Sequence, residues 1–323
     1  MLILHIIIGL PLIRKFCTLM VKYQDIFQPV FDKIGFSPLK TFRNGPRFFV
    51  VGGNCQGERV IFKSDIEAGP RRLRKARWRM QREAVFLEHA GIKHIPKFYK
   101  KGIWKKFFWV LEGWVSGESQ ELGESTFLIR DAFFSERNLN HLIGFLMSLQ
   151  QLGKNSPPQF EKQLPRYTLG DYMNLIWNER SHYVSESLSE RIAAFLKARH
   201  RIFNANQTAI VHHELYGPHI FTDEGEFNVI DWENVGWGNP AYDFVAIWIR
   251  SLFHKDFQAE LFERFRARQK DKRIFDELFR IEVVLQGVGN LRFFKHTSVP
   301  EEKAVAEKVS EFLRESIEQA VAA

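Results

Sequence analysis

Apolar residues recur along this chain with two different periods, and the change from one to the other divides it. Between Tyr23 and Ile34 the apolar positions Ile26, Phe27, Val30, Phe31 and Ile34 repeat at helical spacing and share one face. Shorter strand-like runs follow at 39–42, 47–51 and 59–63. The stretch GGNCQG, residues 52–57, predicts the turn between the last two. Residues 71–90 predict a long basic helix with Trp78, Val85, Phe86 and Leu87 as its apolar contacts, and two more strands are predicted around 97–101 and 107–111. The sum is a small, mostly antiparallel sheet with a helix against it.

Gly113 and Gly117 interrupt this pattern in VLEGWVSGES. From Ser125 onward helical spacing dominates, at 127–152, 169–182, 188–203 and about 241–321, broken only by residues 211–243. We therefore expect a sheet-rich N-lobe at 20–115, a hinge at 116–119 and a helical C-lobe at 120–323. Residues 1–19 stand apart from both. MLILHIIIGLPLI is apolar for about 13 residues, short of the roughly 20 that a membrane helix needs. It has neither a positive leader nor a small-residue cleavage site, which argues against a secretory signal. We read it as an extension ahead of the natural start at Met20, with a weak membrane anchor as the alternative.

The composition, 45% apolar and 26% charged over 323 residues, is that of a globular protein with a substantial core. Cys17 and Cys55 have no C-x-x-C spacing, which points to a reducing, cytoplasmic setting and away from a disulfide frame or a Cys-based zinc site. The net charge of +8 is concentrated: residues 63–106 hold 14 Lys and Arg against 4 Asp and Glu. Such a segment attracts phosphate, on nucleotide, nucleic acid or lipid. We read it as a solvated helix face with some nucleotide-facing charges, and expect no specific nucleic-acid partner.

The densest chemistry lies in VHHELYGPHIFTDEGEFNVIDWENVGWGNPAYD, residues 211–243. An apolar strand end leads into a loop with His212, Glu214 and His219; a hairpin follows, and then Asp231 behind a second apolar run. This layout gathers two carboxylates and an imidazole around one point. Metal-assisted phosphoryl transfer needs such a set: a carboxylate facing the acceptor hydroxyl and ligands for the ion. The stretch resembles the catalytic and metal-binding loops of the aminoglycoside phosphotransferase and choline kinase-like family, whose pattern is H-G-D-x-x-x-x-N, a hairpin, then I-D-W/F-E and G-D-P-x-x-D.

The resemblance implies an α+β, two-lobed protein-kinase-like fold, with a small antiparallel-sheet N-lobe and a mostly helical C-lobe. It also implies transfer of the γ-phosphoryl group of ATP to a hydroxyl of a small molecule: a sugar, an amino alcohol or an antibiotic-like compound. Lys63, ending the strand VIFK, and Glu83 in QREAVFLE match the strand lysine and helix glutamate that pair around the nucleotide phosphates. Glu112 and Trp114 lie in a strap resembling the L-E-x-x-x-G hinge that meets the adenine. Glu214 stands at the catalytic aspartate position, His219 at that of the metal-binding asparagine, and Asp231 at that of the essential metal-binding aspartate. A histidine in place of the asparagine is also similar to macrolide phosphotransferases and lipopolysaccharide-core sugar kinases. His212 and Asp243 are expected to support the loop. ATP and one divalent cation, Mg²⁺ or Mn²⁺, are the implied cofactors. Because Glu214 and His219 both depart from the pattern, a catalytically impaired, nucleotide-binding pseudokinase is the alternative. The sequence pI near 9.4 gives no support for a strongly cationic acceptor.

Overall fold

A computed structural model describes residues 23–45, 47–66, 70–173, 183–223 and 225–322, with the backbone alone at 70–74. The apolar segment 1–19 and the side chains of Arg71, Arg72 and Arg74 lie outside that description. The chain divides into two compact units, one running up to Glu88 and joined by Pro96–Trp114, the other formed by His89–Ile95 and Val115 onward.

The first unit is a five-stranded antiparallel sheet with a helix on each face. Strands β1 (Phe36–Asn44), β2 (Phe48–Cys55), β3 (Glu58–Asp65), β4 (Phe98–Trp104) and β5 (Phe107–Gly113) lie in the order β1-β2-β3-β5-β4. Side chains alternate between the faces, as a pleated strand requires. Val60 and Phe62 of β3 join Phe49, Phe107, Trp109 and Leu111 in an apolar cluster closed by helix α1 (23–34) through Phe27, Val30, Phe31 and Ile34. Phe27 stacks on Phe49 at 5.9 Å, and Phe31 meets Phe62 edge-on at 4.9 Å; such pairs contribute about 0.5–1.5 kcal/mol each beyond the area they bury. On the opposite face Phe48, Phe108 and Val110 pack on Ala76, Met80 and Ala84 of helix α2 (Pro70–His89). Lys63 comes from this second face.

The glycine-rich turn is shorter than its sequence suggests. Strand β2 runs on through Gly52 and Gly53 to Cys55, and only Gln56 and Gly57, both with positive φ (53° and 87°), make the connection, as two-residue hairpin turns require. Gly52 and Gly53 are there for close approach. A Cβ on Gly52 would lie 2.5 Å from the Trp114 ring, and one on Gly53 would lie 2.3 Å from the Ser37 carbonyl.

The second unit is mainly helical. The helix expected at 127–152 begins late: Ser125–Ile129 is a strand, and helix α3 spans Glu136–Lys154, capped by the Ser135 side chain on the Asn138 N–H. The run TFLI is a short continuous apolar stretch, which periodicity cannot assign. Buried Glu302 fixes it as extended by accepting hydrogen bonds from the Ser125 hydroxyl (2.8 Å) and the Thr126 N–H (3.0 Å). Of the helix expected at 169–182, residues 169–173 are helical and 174–182 lie outside the described residues. Helices Glu186–Ala205, Tyr242–Arg250, Lys255–Ala267, Lys272–His296 and Pro300–Ala322 complete the unit. Among the described residues no helix is long and apolar enough to cross a membrane.

Candidate active site

Each unit presents one cluster of the residues singled out by sequence. In the first, Lys63 Nζ lies 2.8 Å from Glu83 Oε2 and 3.0 Å from Oε1, with both side chains buried. Strand β3 supplies the lysine and α2 the glutamate, and the Phe48 ring covers the ammonium at 5.4 Å. Glu112 is buried on β5, two residues beyond Val110, the cross-strand partner of Lys63. The Trp114 indole packs against Phe42, and the Arg59 guanidinium lies 5.1 Å from its centre. The Gly113 and Trp114 N–H groups are spent inside the sheet, on the carbonyls of Lys97 (2.7 Å) and Arg59 (3.1 Å).

In the second unit the loop after strand Ala209–Val211 is held from below by a carboxylate. Asp243 opens helix Tyr242–Arg250 and accepts the N–H groups of His212 (2.6 Å) and His213 (3.1 Å). Burial pushes its carboxyl up to about 7, and those two bonds oppose the shift. His212 is fully buried and bridges two segments. Its Nε2 reaches the Ile230 carbonyl at 2.9 Å, and its Nδ1 accepts the Glu214 N–H at 3.2 Å. A carbonyl can only accept, so the proton sits on Nε2. The residue before Asp231 is thereby tied to the residue carrying the catalytic-position carboxylate.

His212 also makes stability depend on pH. Burial lowers its pKa to about 3, against about 6.5 in an unfolded chain. Its contribution is therefore present above about pH 6.5 and is lost as pH falls toward 3. Asp243 and Glu282, both raised to about 7 by burial, act in the other sense, losing their contribution as pH rises through 7. The His212→Gln variant keeps a donor for Ile230 and removes the titrating group. The stability advantage of the wild type over this variant should shrink by roughly 3 kcal/mol between pH 6.5 and 4 in urea titrations. A gap that stays constant would show that His212 takes up a proton inside the fold.

Glu214, His219 and Asp231 are gathered by these ties. His219 Nδ1 donates to the Glu214 carbonyl at 2.6 Å. That bond places a proton on Nδ1, and Nε2 faces Asp231 Oδ2 at 3.5 Å. The Ile230 N–H donates to the His219 carbonyl at 2.9 Å, so the two ligand-position residues sit on adjoining backbone. Asp231 has φ +63°, in the left-handed region that Asp tolerates better than most residues. A ring nitrogen and a carboxylate oxygen facing each other at this distance are two donors that a shared cation can take. Ligands at about 2.1 Å from one ion lie roughly 3 Å or a little more apart, so the pair fits a divalent ion. Among the described residues no three His, Cys, Asp or Glu side chains group as metal ligands. Two protein ligands suit an ion that takes its remaining oxygens from phosphate and water.

Glu214 lines a cavity of about 510 Å³ together with His213, Tyr172, Tyr216, Tyr242 and Arg250. Two of these carry a role the sequence reading missed. His213 takes φ +69° at the place where the family pattern has glycine. Its Nδ1–H donates to the Asn234 carbonyl at 2.9 Å, and its Nε2 accepts from the Tyr172 hydroxyl at 3.3 Å. The mismatch H-H-E against H-G-D was the available signal. Arg250 had none, since an arginine at a helix end is ordinarily solvated.

The chain has known relatives in sequence family and in fold. The sequence profile of the phosphotransferase enzyme family matches residues 43–278. The chain is similar in structure to an F108L mutant of an aminoglycoside 2'-phosphotransferase in its GDP complex (TM-score 0.60, 16% identity, 94% of this chain and 97% of that one). It is also similar to amicoumacin kinase in complex with AMP-PNP, Ca²⁺ and its ligand (0.59, 13%, 91% and 95%). A third similar structure is a thermostable mutant of an aminoglycoside phosphotransferase, bound to AMP-PNP and hygromycin B (0.55, 14%, 90% and 97%). No curated protein sequence matches the chain.

Proposed function

The chain belongs to the phosphotransferase enzyme family, and we propose that it transfers the γ-phosphoryl group of ATP to a hydroxyl of a small molecule. The observation that supports this reading is the junction of His219, Asp231 and Glu214: an imidazole nitrogen 3.5 Å from a carboxylate oxygen, one hydrogen bond away from the backbone of a second carboxylate residue in a cavity wall.

Each residue then has a task. His219 and Asp231 would hold the divalent ion, which when bound neutralises charge on the β- and γ-phosphates. Lys63, oriented by Glu83, would take a nucleotide phosphate oxygen, while the Trp114 indole and the strap at Glu112 would meet the base. The Glu214 carboxylate accepts the acceptor hydroxyl's proton as the new O–P bond forms and the bond to the ADP oxygen breaks. Tyr172 and His213, locked to each other, shape the floor on which that hydroxyl sits. This assigns the helical unit to acceptor recognition. A cytoplasmic location supplies the ATP and keeps Cys55 reduced.

The test is turnover: ATP with Mg²⁺ or Mn²⁺ and a panel of alcohols, sugars, amino alcohols and antibiotic-like compounds. ADP should form together with a phosphorylated product from one class. The pseudokinase reading, motivated by the double departure at Glu214 and His219, takes over if ATP binds and the whole panel stays unphosphorylated.

A further inference from the structure

The cavity wall that carries Glu214 also carries a cation with no carboxylate partner among the described residues. Arg250 is 7% exposed, and Nη1, donating to the Ala246 carbonyl at 2.7 Å, makes its one hydrogen bond among the described residues. Its Nε is buried without a hydrogen-bond partner. The guanidinium lies over the rings of Tyr216 (4.3 Å) and Phe127 (5.0 Å). Such contacts, with the nearby helix C-terminus, recover only part of the cost of taking an ion out of water. The acid whose charge reaches Arg250 is Glu302, and its oxygens are occupied. They accept from the Ser125 and Thr297 hydroxyls and from the Thr126 N–H. An arginine cannot escape by losing its proton. A buried guanidinium with open donors is therefore a site waiting for an oxyanion.

The rest of the lining agrees. Among the described residues its carboxylates are Glu214, already assigned the acceptor's proton, and Asp171, which is turned back on Thr168 with two bonds of 2.7 Å. Tyr172, Tyr242, Asn234, Gln286 and Asn290 are neutral. A polycationic acceptor would find one carboxylate here and a fixed positive charge beside it. An anionic one would find a planar fork suited to two parallel hydrogen bonds.

We propose that the acceptor carries an oxyanion, a carboxylate or a phosphate, which Arg250 grips while the acceptor's hydroxyl meets Glu214. This rests on the reading of Glu214 as the proton acceptor, and it names the substrate class of that site.

The test is binding without nucleotide. Calorimetry on the wild type would compare matched hydroxyl compounds: glucose and glycerol as neutral members, glucosamine and serinol as cations, glucuronate and glycerate as carboxylates, glucose 6-phosphate and glycerol 3-phosphate as phosphates. At least one anionic member should bind about tenfold or more tightly than its neutral and cationic counterparts, and the better of the two anionic arms identifies the group. Arg250→Met should abolish that preference. Arg250→Lys, which keeps the charge and loses the fork, should weaken it several-fold, and it answers the question if the Met variant does not fold. Neutral or cationic members binding equally well, no binding by any anionic member, or a preference that survives in both variants would overturn the proposal. Anionic binding through Arg250 without phosphorylation would refute the transfer reading alone. Phosphorylation of neutral acceptors, unchanged in Arg250→Met, would refute this proposal alone.

Discussion

A Glu214→Gln enzyme should transfer phosphoryl groups about 10²–10⁴-fold more slowly than the wild type, the range that a positioned general base supplies. The substitution is isosteric and leaves the loop intact, because both contacts that place residue 214 are made by its backbone. Its N–H goes to His212 Nδ1 and its carbonyl receives His219 Nδ1–H. The loss should therefore fall on kcat in single-turnover assays, with the KM for ATP and the melting temperature unchanged. A kcat within a factor of three of the wild type would remove Glu214 from the chemistry. Glu214→Asp separates reach from basicity. The backbone is pinned on both sides, so the shorter side chain cannot follow the acceptor, and a displacement of about 1 Å costs on the order of 10²-fold. Full activity in that variant would show that the acceptor, not the loop, sets the distance.

How much of this was legible in the sequence depends on what fixes each feature. Glu214, His219 and Asp231 could be singled out as candidates because a loop, a hairpin and a strand end keep them at the separations of the family pattern. The antiparallel sheet was legible for a similar reason: alternation along 59–63 already separates the α1 face from the face that carries Lys63. The pairing of Lys63 with Glu83 came from the resemblance, while its burial came from the packing of α2 on the sheet. What stayed hidden depends on partners distant in sequence. Gly52 and Gly53 read as a turn until Trp114, 62 positions after Gly52, arrives against the strand. The segment 125–129 reads as helix until Glu302 claims its N–H groups. Arg250 reads as a helix-end charge until that same glutamate, already saturated, fails to pair with it. One buried carboxylate thus decides a strand and leaves a cation open, and neither consequence leaves a local pattern.

Asp231→Asn should lower the rate by about 10²–10³-fold, the scale on which charge stabilisation of a transition state is lost when one group is removed. Asparagine tolerates the left-handed backbone at φ +63° as well as aspartate does. The variant should therefore melt with the wild type, and the loss should report charge alone. His219→Ala should cost less in rate and more in metal affinity, since one neutral ligand leaves while the carboxylate stays. An imidazole ligand would also make the site selective. Nitrogen donors suit transition ions better than Mg²⁺, which prefers oxygen, so the wild type should turn over faster with Mn²⁺ than with Mg²⁺. The His219→Asn variant puts an amide oxygen where the family pattern has one, and it should reverse that order. If Mg²⁺ supports the wild type as well as Mn²⁺ does, or His219→Ala behaves as the wild type at every metal concentration, Nε2 is not a ligand. The 3.5 Å approach of His219 to Asp231 would then serve only to hold the loop. A metal dependence that follows residue 219 from histidine to asparagine to alanine therefore decides between a ligand and a loop support.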